Sequence, residues 1–191
     1  MPSQSIMRMY APGASSNAIT AESVSGLFVA DTNLGSSLCM TVCTFVNMAV
    51  ALTDEAGVVA YGGKKLFTFP AGQILVLGAN ANIALTKSSA GVNTDWDGDF
   101  GVGTITAGNN NALATTEQNI LPTTATPQAV AGATTSNGNN AAVAFLDGTS
   151  TAAPVFINYL IDDADHNVTG TACNLILNGT LTIIWLNMGD Y

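Results

Sequence analysis

Residues 41–86, TVCTFVNMAVALTDEAGVVAYGGKKLFTFPAGQILVLGANANIALT, restrict the possible folds more than any other stretch of the chain. Val and Thr fill Thr41, Val42, Thr44, Val46 and Val50, and the even positions Val42, Val46, Met48, Val50 and Leu52 form an apolar stripe of period two. β-branched residues in that alternation read as a half-buried strand. Asp54-Glu55-Ala56-Gly57 then supplies turn residues, residues 58–61 resume the extended pattern, Gly62-Gly63 breaks it, and residues 65–69 alternate again. Phe69-Pro70-Ala71-Gly72 has the Pro and Gly placement of a type I turn, with residues 73–77 and 83–86 as further short strands. Short strands divided by turn signals predict an antiparallel sandwich or barrel.

The 191 residues suffice for one domain that buries a sizeable core without covalent staples. Only 9% of them are charged, against about a quarter in a typical domain. Ala, Thr, Gly, Asn and Ser fill the surface positions instead, which suits packing against other subunits, where every buried charge must be desolvated. The net charge of -9 is uneven, because every acid after Lys87 stands without a compensating Lys or Arg. Four Lys and Arg in the whole chain are too few to replace the counterions of a phosphate backbone, so no direct contact with nucleic acid is expected. Solubility is the plain reading of the acidity, and a polarised particle with one end docked is the sharper one.

Cys39 and Cys43 stand too far apart on an extended strand to bridge, and Cys173 has no partner by spacing, so buried free thiols are expected. Residues 1–17 show neither the basic nor the apolar part of a secretion signal, which fits assembly in a reducing cytoplasm. The longest apolar run, residues 38–52, is short of a bilayer span and interrupted by Thr and Asn, so no membrane segment is read.

Residues 1–20, rich in Ser, Ala, Pro and Gly, read as an extended N-terminal arm anchored by Ile6, Met7, Met9 and Tyr10, and residues 21–191 as one β-sandwich domain. A strand is expected at 22–30, a loop at 31–35, polar loop at 87–99, a strand at 100–106, and a short helix or extended link at 113–121. Residues 122–140, nearly free of large apolar side chains and holding two prolines, read as an exposed loop. Strands follow at 141–146 and 155–161, the latter buried on both faces. Residues 173–177 and 180–187 read as a hairpin turning at Asn178-Gly179, the strongest such signal in the chain. No helical period is sustained anywhere, so the fold is read as all-β.

Three places invite a chemical reading. Asp95, Asp97 and Asp99 gather carboxylates around Trp96, but the Gly and Glu spacing of a calcium loop is missing. A solvated acidic turn is the plain reading, with a structural cation or a glycosidase carboxylate pair as alternatives. His166, the one histidine, lies in an acidic loop with no nucleophile elbow in the chain, so a hydrogen-bonded structural role is expected. Tyr61-Gly62-Gly63-Lys64-Lys65 lacks phosphate-loop spacing. No enzyme and no cofactor is expected.

KKLFTFPAGQILVLGA at 64–79, TTEQNILPTTATPQAV at 115–130 and DDADHNVTGTACNLILNGTLTIIWLNMGDY at 162–191 resemble small virion proteins of tailed bacteriophages, the head cement or decoration proteins. The resemblance implies a jelly-roll-like sandwich, a homotrimer, bound to the major capsid protein on the outside of the virion and bracing the head against internal pressure. The N-terminal arm and the final strand are then the candidate subunit or lattice contacts, through Ile6, Arg8, Tyr10, Trp185 and Tyr191. The alternative is a receptor- or glycan-binding sandwich of a phage fibre or host-recognition complex, which exposed aromatics beside the acidic loop, Trp96 and Phe100, would favour.

Overall fold

The computed structural model describes residues 18–35, 37–55, 59–108, 112–162, 168 and 173–189. Eleven antiparallel strands and one 3-10 turn at Thr115–Glu117 account for nearly all regular structure among them. In chain order the strands are β1 (Thr20–Ala21), β2 (Leu27–Gly35), β3 (Leu38–Glu55), β4 (Val59–Thr68), β5 (Gly72–Lys87) and β6 (Gly98–Gly103). They continue with β7 (Leu121–Thr126), β8 (Ala133–Asn140), β9 (Ala144–Gly148), β10 (Pro154–Asp162) and β11 (Cys173–Gly189).

The first sheet runs β7-β6-β10-β4, with β1 also on β4. The second runs β2-β3-β11-β5, and β5 carries β9 along residues 72–76 and β8 along residues 79–86. β3 joins the sheets: residues 38–52 pair with β11, while Thr53, Asp54 and Glu55 pair with β4. The fold is an all-β antiparallel sandwich, and its winding is evident in β11, which lies between β3 and β5, far from both in sequence.

Large apolar side chains from both sheets fill the interior in one continuous cluster from Leu27 to Trp185. Phe69 packs edge-on to both Phe67 and Trp185, at centroid distances of 5.1 and 5.0 Å. The Trp185 indole N–H donates to Thr41 Oγ1 at 2.9 Å, which satisfies both polar groups in the dry interior. β10 is buried on both faces because residues 104–108 and 112–120 cover the outside of the first sheet. There Leu160 meets Val59, Ala107 and Leu113 in a second apolar cluster.

Strands are longer than the turn signals imply. The expected hairpin at Asn178-Gly179 is absent, and β11 passes straight through it. Phe45 pairs with Gly179 and Met48 with Leu177, so Val46 and Asn47 together face Asn178 in a bulge. The Asn178 side-chain oxygen accepts the Asn47 N–H at 2.9 Å, and Asn47 itself takes a left-handed φ of 52°. The bulge also resets the apolar stripe of β3: Cys39, Thr41, Cys43 and Phe45 point inward before it, and Met48, Val50 and Leu52 after it. Val42 and Val46 therefore leave the stripe. A second bulge, at Leu77, resets β5 in the same way.

Gly62-Gly63 lies inside β4 rather than breaking it, because its neighbours approach too closely for side chains. A Cβ on Gly62 would sit 2.5 Å from the Ala51 carbonyl oxygen, and one on Gly63 would collide with Asn158 Oδ1. The expected loop at 31–35 belongs to β2, whose strand begins at Leu27 rather than at residue 22.

Residues 122–140 hold β7 and β8 instead of an exposed loop. β8 alternates strictly, but its inward residues are Thr134, Ser136 and Gly138 rather than large apolar ones. Thr134 Oγ1 donates to Pro127 O at 2.7 Å, Ser136 Oγ to Ala125 O at 3.0 Å and Asn140 Nδ2 to Ile120 O at 2.9 Å. Side chains of one edge strand thus bind carbonyl groups along the other and seal the gap between the sheets. The turn between them carries Ala131 and Gly132 at φ 53° and 82°, the positive angles of a type I′ turn.

Candidate functional site

Of the candidate contacts, Ile6, Arg8, Tyr10 and Tyr191 lie outside the described residues. Trp185 is fully buried between the sheets, so its role is in the core and not on a contact surface. An aromatic late in the chain reads as an anchor from sequence; β11 being a central strand turns it inward.

The acidic turn is anchored by its aromatic residue. Trp96 is buried, its indole N–H donates to Gly132 O at 3.2 Å, and its carbonyl accepts the Ala129 N–H at 2.8 Å. The segment clamps the β7–β8 connection from outside. Among the described residues no group of three or more His, Cys, Asp or Glu is placed to hold a metal ion. His166 lies outside the described residues. Phe100 is buried as well, so neither it nor Trp96 forms an exposed aromatic platform beside the carboxylates. Cys39, Cys43 and Cys173 are free thiols and all buried. Burial pushes the Cys43 thiol up from its ordinary 9.0 to about 12, because the interior penalises the thiolate.

Polar groups inside the molecule are used for building. The fully buried Asn158 donates from its amide nitrogen to Ile105 O at 2.9 Å and Glu117 O at 2.7 Å, and its oxygen accepts the Ala107 N–H at 2.9 Å. Glu117 accepts the N–H groups of Gly108 and Ala114 at 2.8 and 2.6 Å. These bonds pin residues 104–108 and 112–120 over the first sheet. Two shallow depressions open on the surface. One, of about 350 Å³, lies among Thr104, Asn119, Phe145, Asp147, Thr151 and Pro154. The other, of about 220 Å³, lies at the β5 bulge beside Leu77, Gly78, Asn80, Asn139, Thr182 and Ile184.

That second depression sits within the outer face of the second sheet, where ladder register sets residues in rows. Phe145, Leu75, Leu186 and Leu38 form one row, and Gly78, Ile184, Met40 and Thr32 the next. Asn139, Asn80, Thr182, Val42 and Ala30 follow, then Asn137, Asn82, Thr180, Thr44 and Phe28. Among the described residues, no Asp, Glu, Lys or Arg stands outward in these rows, and Asp147 on β9 occupies a corner beyond them. Phe28 is 62% exposed, Phe145 54% and Ile184 38%. Outward faces of sandwich sheets ordinarily carry charge against pairing and collapse, and this one, in a chain of net charge -9, carries none in its rows. Only the alternating Asn80/Asn82, Asn137/Asn139 and Thr180/Thr182 announce it in sequence, and register is needed to bring them together.

On the first sheet, by contrast, Lys65 and Glu22 form an ion pair at 2.7 Å. No described helix is long and apolar enough to cross a membrane. No protein-family model matches the chain, and no curated protein is significantly similar to it.

Proposed function

We propose that this chain is a structural protein of a bacteriophage head. In this reading it is a cement or decoration protein that self-associates, with a homotrimer as the expected form, and binds the major capsid protein on the exterior of the virion. It is made in the host cytoplasm and performs no catalysis. The observation that carries the reading is the charge-free outer face of the second sheet. A face of Asn, Thr, Phe and aliphatic residues packs against another protein without the cost of desolvating charges. The resemblance of residues 64–79, 115–130 and 162–191 to head decoration proteins supports a phage head as the assembly. The glycan-binding alternative loses the feature that would favour it, since Trp96 and Phe100 are buried.

The test is cosedimentation of the purified protein with phage capsids that lack their decoration. Saturable binding at a fixed ratio to the major capsid protein is expected, together with raised resistance of the capsids to heat. A protein that stays in the supernatant at every concentration rejects the reading.

A further inference from the structure

We infer that the outer face of the second sheet is buried against a second copy of this chain in solution. The inference rests on the self-association part of the proposed function, not on its trimeric form, because a face set against the same face closes as a two-fold pair.

Three observations select this occupant. The first is electrostatic: two chains of net charge -9 repel, and association between them is favoured where neither brings charge to the contact. The rows of this face meet that condition, whereas a partner rich in Lys and Arg would find no carboxylate opposite it within them. The second is area. Five strands, β2, β3, β11, β5 and β8, lie side by side across the face. Strand spacing and rise make it roughly 24 Å by 26 Å, on the order of 600 Å² in plan, and side-chain relief adds to that. An interface of standard size needs about 800 Å² of accessible surface from each partner, so a full face against a full face reaches that class. The third is shape. Phe28 and Phe145 stand out from the face, and the depression of about 220 Å³ beside Gly78, Thr182 and Ile184 lies between them. One surface therefore offers both knobs and a hole, with apolar side chains gathered toward the row of Phe145, Leu75, Leu186 and Leu38, and Asn and Thr toward the opposite end.

The experiment is the mass of the full chain by light scattering, from roughly 1 to 100 μM. It compares wild type with the double variant Asn80→Lys/Thr182→Lys and the control Gln128→Lys, which lies in the exposed β7–β8 connection. Added lysines reduce the net charge, so weaker general repulsion would strengthen association. Lysines desolvated in a contact would weaken it at least ~100-fold. The expected result is an assembled wild type and control with a single-chain double variant. A wild type of single-chain mass throughout overturns the inference and, with it, the self-association in the functional reading. A double variant that keeps the wild-type mass overturns only the surface assigned here, and capsid binding, measured separately, then stands on its own. If circular dichroism shows the double variant unfolded, the exposed Phe28→Ser decides the question: loss of mass sustains the inference and retention overturns it.

Discussion

Asn158 and Tyr159 are neighbours on β10 and treat burial in opposite ways. Asn158 faces the covering segment and has three of its polar positions bonded to backbone groups. Tyr159 faces the main core against Phe100, and its hydroxyl finds no hydrogen-bond partner among the described residues. Burial also pushes the Tyr159 hydroxyl well above its ordinary pKa. Removing one side of a satisfied set orphans the other, whereas removing an unsatisfied hydroxyl orphans nothing. Asn158→Ala is therefore expected to lower unfolding stability by about 2–4 kcal/mol, and Tyr159→Phe to leave it unchanged or raise it by up to ~1 kcal/mol. Denaturant titration of the two variants checks the contrast, and a Tyr159→Phe loss as large as that of Asn158→Ala would show that the hydroxyl has a partner.

Among the strands, Gly179 shows why an apparent turn signal belongs to a straight strand. Its φ of 122° is open to glycine, and a Cβ there would run into the carbonyl oxygen of Asn82 on β5. Gly179→Ala is expected to cost at least ~2 kcal/mol and to speed amide exchange along the β3–β11 pairing, read by hydrogen exchange. The same residue shows where sequence reasoning stops. Asn-Gly is a hairpin signal because both residues accept positive φ, but a bulge uses the same freedom. Only the partner strand, with Val46 and Asn47 crowded opposite Asn178, distinguishes the two. β10 and the two halves of β11 read as strand from sequence because their inward residues are large and apolar, though their union into one strand does not. β8 was not, because Thr134, Ser136 and Gly138 fill its inward positions and serve as a hydrogen-bonded seam to β7. The charge-free outer face shows in sequence only through alternating Asn and Thr, as at Asn80/Asn82 and Thr180/Thr182, and a shortage of charge in the chain as a whole. Its location depends on which strands are neighbours, and alternation within a strand does not encode that.

The whole molecule responds to pH through what its interior excludes. Cys43 is held neutral in the core until about 12, while an unfolded chain gives up that proton near the ordinary 9.0. Above pH 9 the unfolded state ionises first, so the contribution of this thiol to stability is complete below that pH and is lost progressively toward 12. Unfolding titrations across that interval should show declining stability, with a shallower decline in Cys43→Ala. At neutral pH the three buried thiols should resist alkylation in the native protein and react only after denaturation.

The position of β11 between β3 and β5 also bears on how the molecule comes into being. Those two strands share the second sheet only through residues 173–189, so neither has its central neighbour while that segment is still inside the ribosome. Until residues 173–189 have been made, a growing chain presents β3 and β5 each with one long, apolar, unpaired edge, and the second sheet closes only when that strand enters between them. Aggregation of any chain terminated before residue 173 is the expected consequence of that single strand's place in the sheet, read as the insoluble fraction of such truncated chains.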